Sequence, residues 1–298
     1  MINLTNISKR FDKEKVLDQV TFGVNKGSIY GLLGSNGAGK TTLLKMTAGI
    51  LKQDHGEIII NTQQVYENPS LKQKIMFIPD LPFTFPQYTV KQMAEFYANI
   101  YDTWNQERFH KLHALLGLEL NRKIARFSKG MQRQVAFWLT LCTMPDVLIL
   151  DEPFDGLDAV VRQKIKNLII QDVADREMTV IISSHNLREI EDICDHIGIL
   201  HHGSFVLEKD LDDLKSDIHK IQIAVKNDST ELLEQLDIVH QEKRGSVHLL
   251  IVRGSREEID QTIKSYNPVV YDLLPLTLEE IFVYEMGGVG YAIENILV

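Results

Sequence analysis

With 298 residues and 44% hydrophobic side chains, the chain is long enough for one large and one smaller domain, each with its own core. Its formal net charge of −9 disfavours a nucleic-acid binder or a protein of anionic membrane surfaces, because both present a basic face to phosphate groups. The two cysteines, Cys142 and Cys194, lie in apolar periodic segments, which predicts buried thiols rather than a disulfide or a metal site.

The first 80 residues predict a sheet-rich region around one glycine-rich loop. Alternating apolar and polar residues at 1–8 predict an edge strand, and a helix after the loop is expected to end at Gly49. Pro79 is expected to end the last strand of this region. The other strands are predicted at residues 16–24, 28–33, 56–61 and 74–79.

Residues from about 82 to 142 predict an all-helical insert between two halves of an α/β unit. Thr89 is a suitable N-cap for a helix over Val90 to Tyr101, and helical spacing of apolar residues continues to Leu141. The segment concentrates aromatic side chains, which either pack the core of the insert or dock a partner, and the two roles are compatible. They are Phe83, Phe85, Tyr88, Phe96, Tyr97, Tyr101 and Trp104.

The α/β pattern resumes with a continuous apolar run, 146–151, which is typical of a parallel strand covered on both faces. A helix capped by Asp158, a strand at 179–184, a helix at 186–194 and two short strands follow. After about residue 210 the pattern changes to the order β-α-β-β-α-β, the ferredoxin-like arrangement. We therefore expect a large domain at 1–208, a small α+β domain at 209–286, and a tail at 287–298.

The residues after the third predicted strand match the phosphate-binding pattern G-x-x-x-x-G-K-[ST] at every position. Glycines let successive backbone N–H groups face a phosphate chain, Lys40 reaches its terminal phosphates, and the Thr41 hydroxyl ligates Mg²⁺. A plain glycine-rich turn is the alternative, but the strand before and the helix after favour the phosphate site. The predicted ATP-binding residues are Gly34, Ser35, Asn36, Gly37, Ala38, Gly39, Lys40, Thr41 and Thr42.

Two adjacent carboxylates, Asp151 and Glu152, end the apolar strand that follows the helical insert. Because parallel strands deliver their carboxyl ends to one edge of the sheet, the pair is expected beside the phosphate loop. Asp151 would hold Mg²⁺ through its hydration shell, and Glu152 would polarise the attacking water as general base. The alternative is that one of them only caps the turn at Pro153.

Four further residues are candidate site residues on weaker grounds. His185 follows a buried strand and so reaches the same edge as Asp151, where an imidazole is expected to act in catalysis. Ser128 and Gly130 open a long helix, an arrangement that binds anions but is common by itself. Phe11, an aromatic in a polar loop, either anchors that loop or stacks on an adenine ring.

In this order and spacing, the segments 34–42, 127–132, 147–153, 155–158 and His185 resemble the ATPase subunit of an ABC transporter over about residues 1–208. The resemblance implies a P-loop NTPase core of the ABC type whose cofactors are ATP and Mg²⁺. It also implies that Ser128 and Gly130 touch a nucleotide held by Lys40 of a second subunit, and that Asp158 links the two sites. His185 matches the switch histidine that contacts the γ-phosphate, and Phe11 matches the adenine-stacking aromatic.

The chain departs from the commonest family pattern at two places. Phe127, Lys129 and Met131 replace Leu, Gly and Gln of the signature, in a form that resembles the exporter subfamily whose separate permeases are of the ABC-2 type. Asp80 stands where the family carries a glutamine that senses magnesium and the membrane subunit. An aspartate accepts hydrogen bonds from metal-bound water, so Asp80 is kept as a metal-site candidate with Thr41 and Asp151.

The resemblance implies a homo- or heterodimer with a second ABC ATPase, bound to integral-membrane permeases at the inner face of the cell membrane. Subunits of this kind in Gram-positive bacteria export antimicrobial or cytolytic peptides, lantibiotics or drugs, and phenol-soluble-modulin exporters are one example. We see no N-terminal signal pattern and no apolar stretch of about 20 residues, so docking onto other subunits is expected. The alternatives are a soluble ABC-type ATPase without transport and a regulatory ATP-binding module with weak hydrolysis.

Overall fold

The phosphate-loop segment is preceded by a strand whose five residues, Ile29–Leu33, are all buried, as expected for the centre of a parallel sheet covered on both faces. The computed structural model describes residues 1–82, 85, 87–225 and 230–287. The predictions for Phe83 and for residues 288–298 of the tail lie outside this part of the chain. Two units are formed, Met1–Glu208 and Lys209–Val298.

The first unit contains two sheets. Its strands are β1 (Ile2–Phe11), β2 (Glu14–Val24), β3 (Ile29–Leu33), β4 (His55–Ile60), β5 (Gln63–Gln64), β6 (Ile75–Ile78), β7 (Val147–Asp151), β8 (Thr179–Ser184), β9 (His196–His201) and β10 (Ser204–Asp210). Its helices are α1 (Lys40–Thr47), α2 (Pro69–Lys72), α3 (Val90–Ile100), α4 (Gln106–Leu116), α5 (Lys129–Cys142), α6 (Ala159–Arg176) and α7 (Leu187–Ile190), with a 3-10 turn at Ile124–Arg126.

The parallel sheet, in the order β10-β9-β3-β8-β7-β6, positions the site. In the parallel registers Leu33 faces Ser184 and Asp151 faces Ser183, so β3, β7 and β8 end at one edge. The antiparallel sheet has the order β2-β1-β4-β5. One core cluster joins both sheets through α1, whose Leu43, Leu44 and Met46 are fully buried.

The structure corrects two predictions about these elements. The first strand is not at an edge, because β1 pairs with β2 on one side and β4 on the other. The alternation of its side chains reports a buried face but carries no information about backbone pairing at either side. The helix predicted at 186–194 is shorter, since α7 ends at Ile190 and turns follow.

The helical insert is held by an N-cap and by stacked aromatic rings. Thr89 caps α3 in a capping box with Gln92, as its sequence predicted. The Trp138 ring is fully buried on α5, stacks on Phe109 at 4.6 Å between ring centroids, and donates its Nε1–H to the Phe109 carbonyl at 3.0 Å. These contacts join α4 to α5 and give the insert its own small core.

The second unit contains α8 (Leu211–Ser216), β11 (Ile218–Ala224), α9 (Thr230–Glu234), β12 (Asp237–Arg244), β13 (Val247–Arg253), α10 (Arg256–Ser265), β14 (Val270–Leu274) and α11 (Leu278–Gly287). Its antiparallel sheet has the order β12-β13-β11-β14. From β11 onward the elements follow the predicted β-α-β-β-α-β order. Leucine and isoleucine side chains of the sheet, α9 and α10 form a separate core.

Cys142 and Cys194 are free, buried thiols, as predicted. Burial raises the pKa of the Cys142 thiol to about 12, so it is protonated at neutral pH. Among the described residues no helix combines the length and apolar character needed to cross a bilayer.

Candidate nucleotide-binding site

The loop between β3 and α1 has backbone angles that favour glycine. The φ angles of Gly34, Gly37 and Gly39 are +154°, +83° and +106°. A Cβ atom on Gly34 would lie 2.3 Å from the Leu200 carbonyl oxygen, and one on Gly39 would lie 2.9 Å from a Leu17 methyl group. The loop therefore packs closely against β9 and β2.

Lys40 is the first residue of α1 and is only 5% exposed. Its Nζ donates hydrogen bonds to the carbonyl oxygens of Gly34 at 2.5 Å and Ser35 at 3.2 Å. It also lies 3.3 Å from Oε1 of Glu152. The ammonium group thus lies between the backbone of the loop and the carboxylate of Glu152, the residue that follows β7.

Asp151 joins the helix start to the parallel sheet. Its carboxylate is 2% exposed, Oδ2 accepts from the Thr41 hydroxyl at 2.7 Å, and Oδ1 accepts from the Ser183 hydroxyl at 2.7 Å. The donor set at Thr41 and Asp151, a hydroxyl and a carboxylate side by side at a phosphate loop, consists of hard oxygen atoms of the kind that Mg²⁺ prefers. These two residues therefore fit a magnesium ion.

Glu152 and His185 lie together at the carboxyl ends of β7 and β8. The Glu152 Oε2 atom is 2.9 Å from His185 Nδ1 and accepts the His185 backbone N–H at 3.3 Å. The Glu152 backbone has φ +46°, a left-handed conformation that is rare outside glycine and is common at functional sites. Its own N–H donates to the Ser183 hydroxyl at 3.1 Å, which fixes this unusual backbone.

A cavity of about 370 Å³ opens above the phosphate loop. Phe11, whose side chain is 46% exposed, stands at its wall, and Lys9 Nζ lies 5.6 Å from the ring centroid. An exposed ring at a phosphate-loop cavity offers a face for stacking rather than an anchor in the core. The lining residues are Phe11, Val16, Ser35, Asn36, Gly37, Gly39, Lys40, Thr41, Thr42, Asp80 and Glu152.

Asp80 lines this cavity and forms a salt bridge with Arg133, a residue to which the sequence analysis assigns no role. Its Oδ1 lies 2.9 Å from Nη2 of Arg133, a side chain of α5 that is 6% exposed as a residue. The guanidinium also donates to the backbone carbonyls of Glu152 at 2.8 Å and Asp155 at 2.6 Å. Asp80 is thus close enough to the phosphate loop to affect it, with its carboxylate engaged by a buried cation.

Ser128, Gly130 and Asp158 do not line the cavity. Ser128 caps α5 and accepts the Met131 N–H at 3.3 Å, while Asp158 caps α6 and accepts the Val161 N–H at 2.9 Å. Both side chains belong to exposed residues. Gly130 lies against the 155–158 loop, where an added Cβ would be 2.9 Å from the Gly156 carbonyl oxygen.

Two site residues, Ser183 and Arg133, were missed by the sequence reasoning. Ser183 lies within the predicted strand 179–184, and its place beside the carboxyl end of β7 follows from the parallel order β8-β7. Arg133 lies on the buried face of α5, where a charged side chain requires partners. An arginine on the apolar face of a helix indicates a buried ion pair. Its partners could not be identified from the sequence, because they are more than 15 residues away.

Comparison with known proteins places this chain in a family. Residues 17–155 match the model of the ABC transporter family. The ABC transporter ATP-binding protein YtrB of Bacillus subtilis is 33% identical over 97% of this chain and 99% of its own length. The bacitracin transport ATP-binding protein BcrA of Bacillus licheniformis is 31% identical over 97% and 98% of the two chains.

A solved structure of an ATP-binding subunit of an ABC transporter superposes with a TM-score of 0.67 at 27% identity, over 72% of this chain and 92% of that chain. The covered share of this chain is close to the length of its first unit.

Proposed function

This chain belongs to the family of ABC transporter ATP-binding proteins, whose ATP hydrolysis is coupled to transport, and from that membership we propose that it powers an exporter through the site described above. The observation that carries the proposal is the convergence of Lys40, Thr41, Asp151 and Glu152 at one edge of the parallel sheet. A triphosphate in the cavity above this edge meets a lysine, helix-terminal N–H groups and a candidate base within one arrangement.

We assign the following roles to the chain's own residues. Lys40 and the loop N–H groups bind the β- and γ-phosphates, and Glu152 accepts a proton from the attacking water, an effect worth roughly 10²–10⁴ in rate. His185 holds the Glu152 carboxylate through Nδ1 and would contact the γ-phosphate. Phe11 stacks on the adenine.

Thr41 and Asp151 would hold Mg²⁺, which supplies charge neutralisation of the phosphates when it is bound. The Ser183 hydroxyl orients the Asp151 carboxylate and, through the Glu152 N–H, also fixes the candidate base. Ser183 thus fixes the position of the metal ligand relative to that of the base.

A second ATPase subunit, identical or different, would complete each site. Ser128 and Asp158 are exposed helix caps and Gly130 lies beside them, so these three residues are available to a nucleotide held by another copy. The positive end of α5 would then face the phosphates across the subunit interface.

The membrane permease would dock on an apolar groove of about 310 Å³ formed at the carboxyl end of β6 and between α3 and α5. The aromatic rings serve both roles left open by the sequence: Phe85 and Phe96 pack edge to face at 5.3 Å, and both also line the groove. The groove suits the apolar face of a permease helix. Through that contact the ATPase would sit at the inner face of the cell membrane.

The cargo we propose is a peptide or another hydrophobic compound. BcrA, which matches along nearly the whole chain, is by its name a bacitracin transport ATP-binding protein. The similarity covers the second unit as well as the ATPase unit, which supports a shared subfamily rather than a shared cassette alone.

Reconstitution with membrane permeases, to be sought among the neighbouring genes, tests the proposal. We expect Mg²⁺-dependent phosphate release that EDTA abolishes, and ATP-dependent movement of bacitracin or an amphipathic peptide across the vesicle membrane. Turnover without any permease association would favour a soluble ABC-type ATPase. ATP binding with no turnover in the full complex would favour a regulatory module.

A further inference from the structure

Arg133 connects three separate segments of the chain around the nucleotide cavity. From α5 it donates hydrogen bonds to the backbone carbonyl of Glu152 at 2.8 Å, to that of Asp155 at 2.6 Å, and to that of Asp80. Its Nη2 also pairs with the Asp80 carboxylate at 2.9 Å. One guanidinium therefore joins the loop after β6, the residue that follows β7 and the loop before α6.

Because Arg133 is charged, its contacts are electrostatic as well as steric. The residue is 6% exposed, and a buried guanidinium requires a compensating anion because its hydration has been removed. The carboxylate paired with it is Asp80, whose side chain is 53% exposed and faces the cavity. The pair thus has a buried positive end in α5 and an exposed negative end at the phosphate site.

An unpaired Asp80 carboxylate would be unfavourable for nucleotide binding at this cavity. Asp80 lines the same cavity as Lys40 and Glu152, so an unpaired carboxylate there would repel a bound triphosphate. A neutral glutamine, the residue that the family resemblance leads one to expect at this position, brings no such charge. Arg133 is the group that makes an aspartate compatible with a polyanionic ligand at this cavity.

We propose that Arg133 is a positioning residue for MgATP: it neutralises Asp80 and holds the Asp80, Glu152 and Asp155 loops in one arrangement. This inference rests on the proposed ATPase function. Because α5 begins immediately after Ser128, the same arginine fixes the Asp80 loop relative to the helix that would face a nucleotide on the second subunit. Arg133 acts through these loops and does not itself touch the nucleotide.

The test uses the purified full chain with three variants, Arg133→Gln, Arg133→Lys and the double variant Asp80→Asn with Arg133→Gln. Affinity for a fluorescent ATP analogue is measured with Mg²⁺ and with EDTA, next to kcat, KM and the melting temperature. Arg244→Gln, which removes an exposed arginine paired with Glu242, is the matched control.

Arg133→Gln is expected to weaken MgATP binding by about tenfold or more, because it uncovers the Asp80 charge. The double variant is expected to recover most of that affinity, since the carboxylate is then neutral, while kcat stays low because the three carbonyls lose their common donor. Arg133→Lys keeps the charge without the fork of donors, so KM stays near the wild-type value and kcat falls. Arg244→Gln is expected to match the wild type.

Wild-type affinity in Arg133→Gln overturns the inference, and so does a double variant that binds no better than the single variant while melting at the same temperature. If Arg133→Gln does not fold, Arg133→Lys decides, because an unchanged kcat then removes the positioning role. A wild-type chain that binds no MgATP would instead overturn the proposed function. The two failures are therefore distinguishable.

Discussion

The ammonium of Lys40 and the carboxylate of Glu152 form an ion pair, with 3.3 Å between Nζ and Oε1. The two residues are 112 positions apart in sequence (152 − 40), and both line the cavity above the phosphate loop. Because the same lysine is expected to bind the terminal phosphates, the charge of Glu152 affects nucleotide binding as well as proton transfer.

Glu152→Gln is predicted to separate binding from turnover. The amide keeps the shape of the side chain but accepts no proton, so the ATPase rate is expected to fall by about 10²-fold or more. Loss of the negative charge beside Lys40 is expected to tighten MgATP binding severalfold and to stabilise the ATP-bound dimer. Phosphate release, nucleotide titration and light scattering measure these effects.

The exposed Glu177→Gln is the control, since Glu177 pairs only with exposed Lys26 among the described residues. Turnover in Glu152→Gln within tenfold of the wild-type rate would remove Glu152 from the role of base.

Gly130→Ala is predicted to weaken ATP-promoted pairing of subunits. The added Cβ would lie 2.9 Å from the Gly156 carbonyl oxygen, so the 155–158 loop must shift, and Asp158 at its end shifts with it. Alanine favours the helix itself by about 1 kcal/mol, and the free energy of unfolding should therefore change little. We expect about tenfold weaker dimerisation, or about 1.4 kcal/mol, at unchanged ATP affinity of the monomer.

Analytical ultracentrifugation with ATP bound to a hydrolysis-deficient background measures this pairing, and Lys111→Ala, at an exposed residue of α4, is the control. If Gly130→Ala and the parent chain dimerise equally, the start of α5 does not contact the second subunit.

Ile100→Glu is predicted to impair permease docking without affecting the nucleotide site. Ile100 is 40% exposed at the groove, so a carboxylate there faces the docking surface rather than the core. Co-purification with permeases from detergent-solubilised membranes is expected to fall at least fivefold, a cost of roughly 1 kcal/mol in binding. The basal affinity for MgATP should not change.

Leu115→Glu introduces the same charge at an apolar residue that is 42% exposed on α4 and outside the groove lining. If both variants, or neither, lose the permeases, the groove is not the docking surface.

Trp138→Ala is predicted to destabilise the helical insert strongly. The ring is fully buried, stacks between Phe109 and His113, and donates a hydrogen bond to the Phe109 carbonyl. A buried aromatic truncated to alanine costs about 3–5 kcal/mol. Urea unfolding followed by circular dichroism measures the loss, and Trp138→Phe, which keeps the stacking but not the hydrogen bond, should lose less.

Tyr88→Ala serves as the comparison, because that side chain is 36% exposed. A loss for Trp138→Ala no larger than that of Tyr88→Ala would contradict the assigned core.

Glu189 is predicted to make stability depend on pH. Burial raises the pKa of its carboxyl, with Asp155 and Glu152 raising it further and with Arg162 and His185 opposing them. The folded protein then binds this proton more readily than the unfolded chain. The contribution is therefore fully present below the ordinary glutamate pKa and is lost as pH rises through the raised value.

The free energy of unfolding of the wild type, relative to Glu189→Gln, should thus increase as pH falls from neutrality toward the ordinary glutamate range. Urea titrations across that range measure the difference. A difference that is flat with pH, or that runs the other way, would show that Arg162 rather than burial controls this carboxyl.

Local patterns predicted most elements of the fold. The Thr89 cap of α3, the all-buried β7, and the order of elements from β11 onward were all visible in consecutive residues, because caps and side-chain periodicity are local properties. The position of β1 inside its sheet could not be predicted from consecutive residues, since strand pairing uses backbone groups that every residue carries.

Residue types at short, fixed spacing were sufficient to predict the phosphate loop, the adjacent carboxylates and the family. The pairings of Lys40 with Glu152, Ser183 with Asp151 and Arg133 with Asp80 could be found only in the folded chain. These partners lie on different strands and helices, and their distances follow from strand order and helix packing. Charge interactions depend on distance in space, and spacing along the chain does not specify that distance.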